Sequence, residues 1–108
     1  MTTVNYWLSF KVATDRSTSK GDDAKRRQSI YDTVTLMDVG HWKETTSFIL
    51  FEAPDTIDAV GRKIVAGLDA DLDTVVIRRV SNSAARYWGV VTDPASLGGY
   101  VAGIARLC

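Results

Sequence analysis

The feature that most constrains this chain is the run VNYWLSFKVA, residues 4–13. Val4, Tyr6, Leu8, Phe10 and Val12 fall on one side of a period-two pattern. Asn5, Trp7, Ser9, Lys11 and Ala13 fall on the other. Strict alternation belongs to a β-strand with one buried face, because successive side chains point to opposite sides of a sheet. The second face is mixed, and Trp7 is its informative member. The strand runs out at Lys11, with Asp15 four residues beyond. Those charges mark either a catalytic edge or the point where the strand enters solvent.

The remaining pattern supplies the partners of that strand. Residues 14–24, TDRSTSKGDDA, are small, polar and charged and read as a long mobile loop. A helix begins near Asp23, which could cap it, and carries Ile30, Val34 and Met37 on one face, with Tyr31 beside them. Gly40 marks its stop. HWKETTSFILFEA, residues 41–53, reads as a short strand around 41–45, a turn or kink, and a strand over 46–52 that Pro54 ends. A second helix follows, with Asp55 as N-cap, Asp58 at N3, and Ile57, Val60, Ile64 and Leu68 at helical spacing. After the turn-like DADLD at 69–73, TVVIRRV (74–80) is a β-branched strand and ARYWGVV (85–91) a short edge strand. In the tail after Pro94, Tyr100, Ile104 and Leu107 have helical spacing, against which its glycines argue.

The order β-α-β-β-α-β predicts an α+β, ferredoxin-like sandwich, with two helices on one face of an antiparallel sheet and a C-terminal extension. A length of 108 residues suits one domain, with a core over 4–91 and an extension over 92–108. Thirteen basic residues balance thirteen acidic ones, which argues against strong global attraction to nucleic acid but permits a local patch. Near-zero charge also eases self-association. Cys108 is the one cysteine, so neither an intramolecular disulfide nor a CxxC metal pair is available. A reducing setting, the lack of a secretory pattern and the lack of a membrane-length apolar run give the expectation of a cytoplasmic protein with no cofactor and no membrane contact.

In such a sandwich the helices leave one sheet face uncovered. Trp7 belongs to that face, with Val76 if Val75 and Ile77 face the helices. From the FILF run, either Phe48 and Leu50 or Ile49 and Phe51 join it. An apolar patch of that kind predicts a twofold homodimer, sheet to sheet or edge to edge, unless the C-terminal segment folds back over it. The interface candidates are Trp7, Trp42, Ile49, Phe51 and Val76.

Several stretches carry a family resemblance. They are YWLSFKV as first strand, SIYDTV in the first helix, GHWKETTSFIL as the strand pair, TIDAVGRKIVAGLDADLDTVVIRRV as second helix and last core strand, and AARYWGV after it. Together, over residues 4–91, they resemble the small SinR-like proteins related to the Cas2 and VapD ferredoxin-like groups. The resemblance implies a homodimer. It also implies either metal-dependent cleavage of nucleic acid or a scaffolding role without cleavage. The family feature tied to cleavage is an aspartate in a Tyr-Asp pair at the end of the first strand. Here that pair reads Phe10-Lys11, so a base replaces the acid. A Mg²⁺ site wants carboxylate oxygens, and a lysine there repels the cation.

The other candidates are weaker chemistry. Asp15 is the nearest substitute acid, and Asp22, Asp23 and Asp32 form no constellation with a fixed partner. His41, the one histidine, has no second His or Cys for a zinc site and reads as a strand-start or interface residue. Lys20, Lys25, Arg26 and Arg27 cluster, and Arg78, Arg79 and Arg86 add cations. Lys11, Arg26, Arg27, Arg78, Arg79 and Arg86 are the binding candidates, for a weak nucleic-acid or protein partner. Trp7, Trp42 and Trp88 read as packing or interface anchors ahead of base-stacking platforms. SLGGY at 96–100 lacks the lysine of a phosphate loop and reads as a bend. The expectation is a noncatalytic scaffold or partner-binding module. The alternative is a metal-dependent nuclease or endoribonuclease with relocated acids.

Overall fold

The computed structural model describes residues 4–37, 41–42, 44, 47–80 and 84–108. The side chains of His41 and Trp42, and the whole of Gly40, lie outside the described residues, so the readings made of them stay with the sequence. The elements are β1 (Val4–Lys11), α1 (Asp23–Met37), β2 (His41–Trp42), β3 (Phe48–Ala53), α2 (Ile57–Val65), β4 (Thr74–Arg79), β5 (Ala85–Gly89), α3 (Pro94–Tyr100) and β6 (Ile104–Arg106). The fold is α+β, and its open sheet runs β2-β3-β1-β4-β5-β6.

The alternation of β1 decides the core. Tyr6, Leu8, Phe10 and Val12 are buried, and they pack with Ile30 and Val34 of α1 and with Ile57, Val60 and Ile64 of α2. Ile49, Phe51, Val75 and Ile77 complete that layer from the neighbouring strands. β1 is central, paired antiparallel with β3 on one side and β4 on the other. A fully apolar stripe on the central strand is what two flanking strands and two helices can close over.

Three expectations are corrected. First, the sheet is mixed and not purely antiparallel, because β6 pairs parallel with β5. A parallel neighbour needs a crossover, and the segment carrying α3 supplies it. The helical spacing of Tyr100, Ile104 and Leu107 is therefore broken up: Tyr100 ends a short helix, Ile104 begins a strand and Leu107 follows that strand. Second, Ile49 and Phe51 are 0% and 3% exposed and belong to the helix-facing core, so neither can serve an interface. Third, the helix caps sit one residue away from where they were expected. Thr56, in extended conformation, caps α2 by accepting from Ala59 N. Asp22 precedes α1 and accepts from Lys25 N at 2.8 Å. Asp55 instead holds Lys63 at 2.7 Å.

Candidate binding face

The face of the sheet opposite the core is built by register. One row crosses the strands as Leu50, Trp7, Arg78, Ala85 and Ile104. The next crosses as Phe48, Ser9, Val76, Tyr87 and Arg106. Lys11 and Thr74 lie beyond the second row, while Asn5 and Glu52 lie beyond the first. Trp7, Phe48, Val76 and Tyr87 are half-buried, and Leu50 is 38% exposed. β6 extends the sheet sideways, and α3 buries none of its own residues. Ala85, in the middle of the first row, is fully buried, so the exposed part of the face lies toward β1 and β3. Leu107 turns to the helix side, where its side chain lies against Gly61.

Aromatic geometry organises the face. The Trp7 and Phe48 rings stack at 6.1 Å with 28° between planes. The Arg106 guanidinium lies over the Tyr87 ring, 4.8 Å from its centroid. Arg78 sits between Trp7 and Ala85 in the first row. Its Nε is shut from solvent with no hydrogen-bond partner among the described residues.

The predicted cations divide sharply. Lys11 is exposed at the strand end and, with Arg78, belongs to the open face. Arg26 is corrected as a binding candidate, because it is 0% exposed and serves the fold. Its Nε donates to Asp73 Oδ2 at 3.0 Å, and its terminal nitrogens donate to the carbonyls of Ala13, Arg16 and Gly21 at 2.7–2.8 Å. Arg27 lies over the Phe10 ring on the helix side and donates to Ser47 Oγ. Arg79 shares the parity of Val75 and Ile77 and stands opposite Tyr6. Arg86 is paired with Asp58 at 2.7 Å. The six predicted cations are thus not one patch.

The acids are equally dispersed. Asp15 is exposed in the loop after β1, with φ 59°. Asp22 caps α1, and Asp32 accepts from Gln28. Asp73 lies beside the end of β1, where it accepts from Ala13 N, Asp69 N and Arg26. A carboxylate with all its lone pairs engaged and a buried guanidinium beside it has nothing left for a cation. Among the described residues, no three His, Cys, Asp or Glu side chains gather as a metal site.

Sequence reasoning offered Phe48 and Leu50 as the alternative to Ile49 and Phe51 and settled on the wrong pair, and it missed Tyr87 and Arg106. Alternation through ARYWG does place Tyr87 opposite Trp88, and Trp88 packs against the core. The FILF run is apolar at every position, so its parity carries no signal. No family model matches the chain, and no curated protein or solved structure does either. No described helix is long and apolar enough to cross a membrane.

Proposed function

We propose that this chain is a noncatalytic binding module of ferredoxin-like topology whose working surface is the open sheet face around Trp7. The observation that carries the reading is the partly exposed aromatic and aliphatic cluster on that face, formed by Trp7, Phe48, Leu50 and Val76. The strand order β2-β3-β1-β4 with α1 and α2 on one side supports the ferredoxin-like assignment. The SinR-like resemblance belongs to the same proposal, in a form whose first strand ends in Lys11. A metal-dependent nuclease would need carboxylates near that end, where Asp73 is consumed by Arg26 and Asp15 stands alone. A twofold dimer through the open face is the second reading, favoured by the exposure of Leu50 beside Trp7.

The test is incubation with Mn²⁺ and labelled single- and double-stranded RNA and DNA. No cleavage above the buffer control is expected. Cleavage that disappears in Asp15→Asn would overturn the noncatalytic reading.

A further inference from the structure

We infer that residues 91–102, which carry α3, form a lid that closes over the Trp7–Val76 part of the open face, with Leu97 and Tyr100 as its contacts. The inference rests on the reading of that face as the working surface, and it names how access to that surface is regulated.

Topology puts the lid on the right side of the sheet. The antiparallel pairings make β1, β2 and β5 run in one direction. The connection through α1 moves one way across the sheet, from β1 to β2, and the connection through α3 moves the other way, from β5 to β6. Crossovers between parallel strands share one hand, so helices on connections of opposite sense lie on opposite faces. α1 and α2 occupy the core face, which leaves α3 the open one. Ala85, fully buried on the open side next to β6, agrees with a cover at that edge. β5 ends at Gly89, in line with Thr74 and Lys11, and β6 begins at Ile104, in the row of Trp7. The connection therefore runs back along β5 toward the Trp7 row.

The segment is held at its two ends. Before it, Val90 N donates to the Asp73 carbonyl, and Val90 O accepts from Thr74 Oγ1. After it, β6 pairs with β5, and Leu107 sits against Gly61. Between these anchors no residue from 91 to 102 is buried, and Tyr100 is 88% exposed. Among the described residues, the hydrogen bonds of this stretch are local. Ser96 N and Leu97 N donate to Asp93, and Val101 N donates to the Leu97 carbonyl. A Cβ added at Gly98 or Gly99 would meet nothing within 4 Å. A helix this short, with two glycines and no buried side, is marginal on its own. Elements of low local stability are the ones that move while the rest of a fold stays intact.

Reach sets where the lid lands. Residues 91–93 and 101–103 join α3 to its anchors, and three extended residues span about 10 Å. Val76 on β4 is one strand from β5, about 5 Å, and Trp7 on β1 is two strands away, about 10 Å. α3 can thus slide over β4 with the β5–β6 pairing unbroken. Leu97 and Tyr100 are three apart on the helix and arrive on the same side. Closure gives the half-buried Trp7 and Val76 an apolar cover and takes the Tyr100 ring out of water. A partner of this face must displace the lid, so its binding and lid closure compete.

The experiment is disulfide trapping in a Cys108→Ser background. Val76→Cys with Tyr100→Cys is the test pair. Leu36→Cys with Tyr100→Cys is the control, because Leu36 is 87% exposed on α1, which packs on the other face. Both are exposed to oxidised glutathione and read by thiol titration and product mass. The test pair is expected to link within one chain at least about tenfold faster than the control. Equal rates overturn the inference. So does linkage found only at twice the chain mass, since α3 then meets a second copy. Should circular dichroism show either cysteine pair unfolded, the decision passes to anilinonaphthalene sulfonate fluorescence. Leu97→Ser with Tyr100→Ser is expected to raise its emission at least about twofold by uncovering the cluster, and unchanged emission overturns the inference. Trapping reports where α3 goes and the Mn²⁺ assay reports cleavage, so failure of the lid and failure of the noncatalytic reading are separately visible.

Discussion

The residue with the largest structural consequence is Arg26. It lies in the polar run KRRQ, where nothing local separates it from Lys25 and Arg27. What makes it different is Asp73, 47 residues away in the chain and equally buried. Each charge is tolerable inside only because the other, with three backbone carbonyls and two backbone amides, satisfies it. Arg26→Met leaves the Asp73 carboxylate buried without its cation. The expected loss is about 3–5 kcal/mol in urea denaturation. A single sequence cannot reveal such a pair, because no periodicity links its members. Tyr6 is a second residue of this kind. Burial pushes its phenol above the ordinary tyrosine value, and Asp55 adds to the shift while Arg79 opposes it. The folded state then holds that proton more tightly than the unfolded chain. Its contribution to stability is complete below about pH 10 and is lost as pH rises through the folded-state pKa. Tyr6→Phe also removes the 2.7 Å bond donated to the Asp55 carbonyl. We expect a loss of about 1 kcal/mol at neutral pH and a flatter decline above about pH 10, read from melts across that range.

At the scale of elements, the strand and helix periods were legible wherever one face is apolar and the other is not. β1 and α2 are such elements, and β4 becomes one once Val75 and Ile77 are set against the helices. β3 was not, because FILF is apolar on both sides and its parity is settled only by pairing with β1. The tail was illegible for a different reason. Asp93 and Pro94 start a helix, with Asp93 accepting from Ser96 N. The helix ends at Tyr100, and Gly103 at φ 76° turns the chain into β6. Those three features are local, but the parallel pairing with β5 is not. Leu107, 7% exposed, anchors the result against Gly61, where an added Cβ would meet its methyl groups at 3.1 Å. Leu107→Ala is expected to lower stability by about 2–5 kcal/mol in thermal or urea unfolding, the range for a truncated core leucine.

For the whole molecule, element order carried the fold class, because few topologies bury two helices on one side of such a sheet. The candidate site was less legible. Trp7, Val76, Lys11 and Arg78 could be placed on one face from alternation. Arg106 and Tyr87 needed the parallel edge strand to bring them together. Net charge, the first quantity read from a sequence, was the least informative one, since it counts Arg26, buried against Asp73, and Lys11, exposed at a strand end, alike.

The central position of β1 has a consequence for how the molecule comes into being. β1 precedes both of its partners in the chain, and each of them is separated from it by a long intervening segment. Helices can form early because their contacts are local, while distant strand pairs must first bear the cost of loop closure. Until β3 and β4 arrive, VNYWLSFK is an apolar strand with both edges open. The segment that later holds the sheet together is therefore, during folding, the one most prone to join the wrong neighbour.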